Sequence, residues 1–69
     1  MSDYYYMEVQ NMQSFIVEHY YSKNVDVYCG TQDVFKGKVA ACADGVLTLE
    51  NGGKYTHIAI DKIIAIWET

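Results

Sequence analysis

His57 has the most versatile side-chain chemistry in this sequence, and it lies in the stretch Tyr55-Thr56-His57-Ile58 near the C-terminal end. An imidazole ring can donate a hydrogen bond, accept one, or contact a charged group. Tyr55 is two residues away, so the two side chains would share one face of a β-strand. Two interpretations stay open. His57 is either a hydrogen-bonded structural residue of a strand or a ligand contact.

Lys36 and Lys38 flank Gly37 and form a second group of candidate residues. On a strand their ammonium groups would project from one face, where they could contact phosphate. Exposed strand lysines are more often only solvated, and we favour that interpretation for both. Phosphate contact is kept as the alternative.

The chain carries two histidines and two cysteines, and their spacing does not indicate a metal site. His19, His57, Cys29 and Cys42 include no close pair of the Cys-x-x-Cys kind. No signal peptide precedes the cysteines, so we expect a cytoplasmic protein in which both are reduced, buried hydrophobic residues. There is also no glycine-rich phosphate loop and no paired nucleophile and base. We therefore expect neither an enzyme nor a bound cofactor.

Size and charge narrow the function further. The 69 residues suffice for one domain, which we place at 1–69. With 51% hydrophobic residues the chain has more apolar side chains than a small core hides, and this favours self-association. The net charge of −4 counts against a general nucleic-acid binder but leaves room for a local site. No apolar run approaches the roughly 20 residues of a membrane span, so we expect no membrane partner.

The N-terminal part predicts a helix over about 4–22. Apolar and aromatic residues recur at three- and four-residue spacing and form one stripe: Met12, Phe15, Ile16, His19 and Tyr20. Ser2 or Asp3 could cap the start, and Lys23-Asn24 is a reasonable stop. The helix is also rich in tyrosine, at Tyr4, Tyr5, Tyr6, Tyr20 and Tyr21. We favour packing residues over a docking surface, because a short helix must bury one face.

From residue 25 onward the pattern alternates with a period of two, which predicts five short strands over about 25–67. Asp44-Gly45 and Asn51-Gly52-Gly53 predict tight turns, because such turns need residues that tolerate positive φ. For Asp44 we favour a turn-forming role over a ligand contact. Gly37 lies inside the longest strand, where glycine indicates a bulge, a bend or a close backbone approach.

These elements and their motifs resemble the Sm-like family. In the stretch VDVYCGTQDVFKGKVAACADGVLTLE, apolar residues lie two before and two after Gly37, and Asp44 ends the long strand, as in the first Sm motif. The stretch YTHIAIDKIIAI is similar to the second motif, particularly to the Tyr-Lys-His-Ala-Ile-Ser segment of the bacterial Hfq branch. The resemblance implies a mainly β fold: an N-terminal α-helix and a five-stranded, strongly bent antiparallel SH3-like barrel.

Three positions depart from the family pattern. The spacing from Gly37 to Asp44 is one residue longer than usual, which indicates a bulge or a shifted turn. Thr56 replaces the lysine that the Hfq branch has between tyrosine and histidine. Val46 stands where that branch has an aromatic residue that stacks on a base.

The resemblance implies a ring of six or seven copies in which the fourth strand of one copy pairs with the fifth strand of the next. The expected interface residues are Ile58, Ile60, Ile64 and Ile66. The expected partner is single-stranded RNA, with His57 and Tyr55 at the pore, Tyr28 on the opposite face of the ring, and Lys36 and Lys38 as further contacts. The alternative is a ring that has lost RNA binding and serves as a scaffold, with its tyrosine-rich helix as the docking surface.

Overall fold

The computed structural model describes the backbone of residues 2–69 and the side chains of residues 10–69. The elements, in chain order, are α1 (Ser2–Tyr20), β1 (Asn24–Tyr28), β2 (Phe35–Ala43), β3 (Val46–Asn51), β4 (Lys54–Ala59), a 3₁₀ helix (Ile60–Lys62) and β5 (Ala65–Glu68). The strands form one antiparallel sheet in the order β4-β3-β2-β1-β5. The predicted mainly β fold with an N-terminal helix is confirmed. The sheet is not closed, because no ladder joins β4 to β5.

The core lies between the sheet and α1. Its buried side chains come from the inward positions of β1 to β4, from the helix and from the first residue of the 3₁₀ helix: Ile16, Val25, Val27, Val39, Leu47, Leu49, Ile58 and Ile60. On each strand the residues between these inward positions face away from the core, as the two-residue period of a strand requires. The outward positions are therefore the ones available for function.

The helix ends earlier than the sequence predicts. Its last residue is Tyr20, and Ser22 takes a left-handed conformation with φ 68°. The backbone N–H of Ser22 then donates to the carbonyl oxygen of Val39 at 3.0 Å, which turns the chain into the sheet. The predicted end at about residue 22 is two residues too late, because contact with β2 ends the helix. The predicted caps Ser2 and Asp3 and the tyrosines Tyr4, Tyr5 and Tyr6 lie outside the residues whose side chains are described.

Only part of the predicted helical stripe faces the sheet. Ile16 is fully buried, and Met12 and Tyr20 pack against the core. Phe15 and His19 were predicted in the same stripe but lie outside it; Phe15 is 47% exposed, and its ring centroid is 4.5 Å from that of His19. One helix on a small sheet buries a narrow strip at every fourth residue, so the three-residue neighbours stay in solvent.

A polar contact also fixes the helix on the sheet. The side-chain carbonyl oxygen of Gln13 accepts a hydrogen bond from the backbone N–H of Gly45 at 2.8 Å. That N–H belongs to the turn between β2 and β3, where Asp44 and Gly45 have φ of 55° and 77°. The predicted Asp44-Gly45 turn is thus confirmed. The second turn is confirmed too, with Gly52 and Gly53 at φ 60° and 86°.

The long strand β2 carries both irregularities expected of it. The register with β3 shifts between Val39 and Ala41, so the stretch between Gly37 and Asp44 contains the expected bulge. Gly37 serves a close backbone approach, since a Cβ there would lie 2.9 Å from the carbonyl oxygen of Glu50. Any side chain at Gly37 would push β2 and β3 apart.

A 3₁₀ turn separates the two C-terminal strands. β4 ends at Ala59 because Ile60 opens the 3₁₀ helix. β5 begins at Ala65, and the N–H of Ile64 donates to the carbonyl oxygen of Tyr28 just before the regular ladder starts. Asp61 and Lys62 complete this 3₁₀ helix.

We expect Ile16→Ala to lower the free energy of unfolding by about 2–5 kcal/mol, because it opens a cavity under the helix. Urea denaturation at one fixed protein concentration measures this. Val17→Ala is the matched control: Val17 is the next residue but is 44% exposed, so its loss should stay within about 0.5 kcal/mol. Equal effects of the two substitutions would mean that α1 does not dock through Ile16.

Candidate functional site

Tyr55 and His57 project from the outward face of β4. They lie opposite Glu50 and Thr48 of β3, while Ile58 lies opposite Leu47 and points into the core. The Nδ1 atom of His57 is 2.9 Å from the hydroxyl oxygen of Thr48. Tyr55 is 63% exposed. Of the two interpretations of His57, the structure shows a hydrogen-bonded strand residue, and its exposure leaves it available to a ligand as well.

These two residues lie on a strand whose second side is unpaired. The N–H of Ile60 donates to the carbonyl oxygen of Gly45 at 2.9 Å, on the β3 side. Because the backbone groups of successive residues point to opposite sides of a strand, the N–H of Ala59 points to the free edge. The same alternation directs the backbone groups of His57 and Tyr55 to that edge. The candidate side chains and the unpaired backbone groups therefore occur on the same residues.

Tyr28 lies at the other end of the sheet. It is half-buried on β1, opposite Ala65 of β5, and two strands separate β1 from β4. The structure therefore does not bring Tyr28 together with Tyr55 and His57 within one chain. Trp67, which no motif in the sequence marks as a candidate, lies on β5 opposite Asp26, two residues from the partner of Tyr28, and is 42% exposed. Its outward direction depends on the β1–β5 register, which no local pattern reveals.

Lys36 and Lys38 have different surroundings although both face outward. The ammonium group of Lys36 is 3.2 Å from a carboxylate oxygen of Asp26, a residue that is only 8% exposed. Lys38 lies opposite Asn24 and Glu50 and makes no ion pair with the side chains that the structure describes. Lys36 thus has an ion-pair partner within the fold. Lys38 is therefore the better candidate for contact with an anionic ligand.

A polar groove of about 350 Å³ runs beside these lysines. β1, β2, the end of β3 and the following turn form its walls, and its charged lining residues are Asp26, Lys36, Lys38 and Glu50. The groove is therefore lined by both acidic and basic side chains. The carboxylate of Glu50 already accepts the N–H of Gly53 at 2.9 Å.

The four predicted interface isoleucines have different environments. Ile58 and Ile60 belong to the core of their own chain, so their side chains are unavailable to another copy. The inward face of β4 covers the core, and an interface role for Ile58 and Ile60 stays a prediction. Ile64 is 64% exposed and Ile66 is half-buried against the core. On β4 only the backbone and the outward side chains remain available for contact.

The cysteines are free thiols, as expected, but they are half-buried and not fully buried. Burial raises the pKa of both the Cys29 and the Cys42 thiol. Both groups therefore stay protonated near neutral pH, whereas metal binding and nucleophilic attack need the thiolate. Among residues 10–69, no three histidine, cysteine, aspartate or glutamate side chains come together as metal ligands.

The fold and this surface define a small mainly β domain with one helix and a polar outward face. The chain belongs to the family described as "Domain of unknown function (DUF6897)", which matches residues 12–69 and so covers the second half of α1 and all five strands. No curated protein and no solved structure matches the chain. No helix in the described part of the chain is long and apolar enough to cross a membrane.

We expect Lys36→Met to lower the free energy of unfolding by about 1–3 kcal/mol, because it leaves the mostly buried Asp26 carboxylate without its partner. Lys38→Met is the control on the same face of the same strand, with an expected change within about 0.5 kcal/mol. Urea denaturation of the two variants side by side gives the comparison. If Lys38→Met costs as much as Lys36→Met, the Asp26–Lys36 pair contributes nothing specific.

Proposed function

We propose that this chain assembles into a closed ring of identical copies, in which β4 of one copy pairs with β5 of the next, and that the ring binds single-stranded RNA. The observation that carries the proposal is the open sheet, whose two ends are β4 and β5. Each end offers a row of unpaired backbone donors and acceptors, which a soluble protein normally covers. Pairing between different edges of identical copies closes into a ring without leaving any edge free.

The element order supports an Sm-like ring in particular. A helix followed by five antiparallel strands, with a long second strand, is what the resemblance implies, and the expected ring has six or seven copies. Exposed apolar side chains near β5 add to the support: Ile64 and Trp67 would lose contact with water at such a junction.

The proposed RNA contacts are Tyr55 and His57 at the β4 edge, with Tyr28 as a separate stacking position. Aromatic rings bind unpaired bases by stacking, and an imidazole can donate to a base or a phosphate. Lys38 is the proposed phosphate contact, and Lys36 is secondary because Asp26 holds its charge. The role is one of binding and not of catalysis. We place it in the cytoplasm, whose reducing conditions keep Cys29 and Cys42 as thiols.

One surface favours a second candidate function, a ring that docks another protein. Phe15, Val17 and Tyr21 are exposed on and just after α1, with exposures of 47%, 44% and 54%. Val17 and Tyr21 are four residues apart and so lie on the same side of the helix, and exposed apolar side chains on one side are typical of a protein contact. The net charge of −4 is also less of an obstacle to a protein partner than to RNA.

For the assembly, we expect Ala59→Pro to break the ring while the fold is retained. Ala59 already has φ −66°, which a proline ring requires, and its N–H is not used by the sheet of its own chain. The substitution removes an edge donor and adds bulk at the free edge. Light scattering coupled to size exclusion gives the mass, and circular dichroism checks the fold. Ala59→Ser keeps the N–H and should assemble like the wild type. A wild-type protein that is itself a monomer would refute the ring.

For the RNA, we expect saturable binding of short oligo-U or oligo-A, measured by fluorescence anisotropy at low and at physiological salt. His57→Ala should weaken it by roughly tenfold, since hydrogen bonds to ligands are worth about 1–2 kcal/mol. His19→Ala, which changes the other histidine on the distant helix, should bind like the wild type. Absence of binding to either RNA even at low salt would rule out this part of the proposal and favour protein docking.

A further inference from the structure

The backbone hydrogen bonds of the two edge strands determine which residues can pair with a second copy. In an antiparallel ladder, pairs that exchange hydrogen bonds alternate with pairs that do not, and residues of the second kind direct their N–H and C=O groups to the other side of the strand. On β4 the bond from Ile60 to Gly45 continues the β3–β4 register. The backbone groups of Tyr55, His57 and Ala59 therefore point to the free edge.

The same argument applies to β5 at the other end of the sheet. The N–H of Thr69 donates to the carbonyl oxygen of Asn24 at 3.0 Å, and this pair continues the β1–β5 register. Trp67, two residues earlier, therefore also directs its backbone groups to β1. Ile66 and Glu68 are the β5 residues whose backbone groups point to the free edge.

These directions restrict how β5 of one copy can pair with β4 of another. Antiparallel pairing is the more stable kind, and parallel strands occur almost only in sheets that are covered on both faces. The outward face of this sheet is not covered, since Tyr55 and His57 are exposed on it. We therefore expect antiparallel pairing between the copies.

One antiparallel register satisfies the backbone directions. In such a ladder, a residue that points to the edge must lie opposite another that does the same. Within that condition, a single register keeps all four residues of β5 inside the bounds of β4, Lys54–Ala59. It places Glu68 opposite Tyr55 and Ile66 opposite His57.

We propose that the neighbouring copy completes the candidate site in this register, with its Glu68 beside Tyr55 and its Ile66 beside His57. Partners across a ladder project to the same side, with their Cβ atoms about 5 Å apart. The inference rests on the proposed ring. It adds to the ring a strand direction, a register and a charged residue from the second copy.

The burial of the β5 residues supports this arrangement. Ile66 lies opposite Val27, on the side of β5 that faces the core, and is half-buried at its rim. Ile64, two residues earlier, is 64% exposed. Because partners share one side of a ladder, the outward side chains of β4 would cover this rim in the next copy. The two sheets thus join with their faces exchanged, and the junction removes apolar surface from water.

The charge of Glu68 has a consequence for the ligand. Glu68 is exposed in the single chain, so its carboxylate is available at the junction. A carboxylate beside Tyr55 repels a phosphate at short range. We therefore expect an RNA base, and not a phosphate, next to Tyr55.

Engineered disulfides test the register. Residues of a hydrogen-bonded antiparallel pair have Cα atoms about 5.5 Å apart, which a disulfide can span. In a background with Cys29→Ala and Cys42→Ala, we expect Tyr55→Cys combined with Glu68→Cys to give a ladder of covalent oligomers on a non-reducing gel after mild oxidation. Tyr55→Cys combined with Ile66→Cys is the matched control, which is shifted by two residues and should cross-link far less.

A second cysteine pair tests the parallel alternative. Parallel pairing within the same strand bounds would place Trp67 opposite His57, so His57→Cys combined with Trp67→Cys would cross-link instead, and the antiparallel register would be wrong. Light scattering before oxidation separates this result from the ring itself. An oligomer in which neither pair cross-links would refute the register while the assembly remains. A wild-type monomer would refute the ring and this inference with it.

Anisotropy with the same oligo-U and oligo-A probes tests whether Glu68 lies at the site. Glu68→Gln removes one negative charge per copy, so RNA should bind roughly two- to threefold more tightly at low salt, with a smaller gain at physiological salt. Glu18→Gln removes the same charge from an exposed position on α1, at the other face of the sheet, and should change the affinity less. Equal gains would overturn the placement of Glu68 at the site. If neither RNA binds, the proposed RNA role fails, and the cross-linking still decides the register.

Discussion

The alternation of β3 and β4 is the constraint on which both the core and the candidate site depend. Leu47 and Ile58 face each other on the inward side, and the adjacent pair, Thr48 and His57, face each other on the outward side. A slip of one residue would place Thr48 or His57 in the core and expose an isoleucine or a leucine. The free energy of burying the core therefore also fixes the distance between the Thr48 hydroxyl and the His57 ring. A ligand site of this kind needs no separate stabilisation of its own.

The size of the domain explains why its edges matter. The described core contains eight buried hydrophobic residues under one helix, and a core of this size supplies only a few kcal/mol of net stability. The two ends of the sheet remain unpaired, and exposed Ile64 and Trp67 lie beside one of them. Pairing of these edges adds backbone hydrogen bonds and buries apolar surface at the two places where the single chain has unpaired strands. Assembly is thus the change that would increase stability most without a larger core.

Local geometry explains what the sequence predicts and what it does not. The turns at Asp44-Gly45 and Gly52-Gly53 follow from which residues tolerate positive φ, and Gly37 inside the long strand indicates the close backbone approach to Glu50. The helix end and the exposed positions of Phe15 and His19 could not be predicted, because they depend on how α1 meets β2. The same holds for the Asp26–Lys36 and Thr48–His57 contacts. Each joins residues on different strands, so each depends on a register that only the assembled sheet defines.

The distribution of charge limits how this surface can bind a nucleic acid. The chain carries nine acidic residues against five lysines, and one of those lysines, Lys36, is already paired with Asp26. Affinity from neutralising many phosphates is therefore not available to it. In the proposed site Tyr55 would stack on a base and His57 would form a hydrogen bond instead, and both interactions act on a base or a single phosphate at short range. In a ring these contacts recur once per copy, so weak individual contacts add along one strand of RNA. This repetition is the physical reason why the assembly and the binding are proposed together.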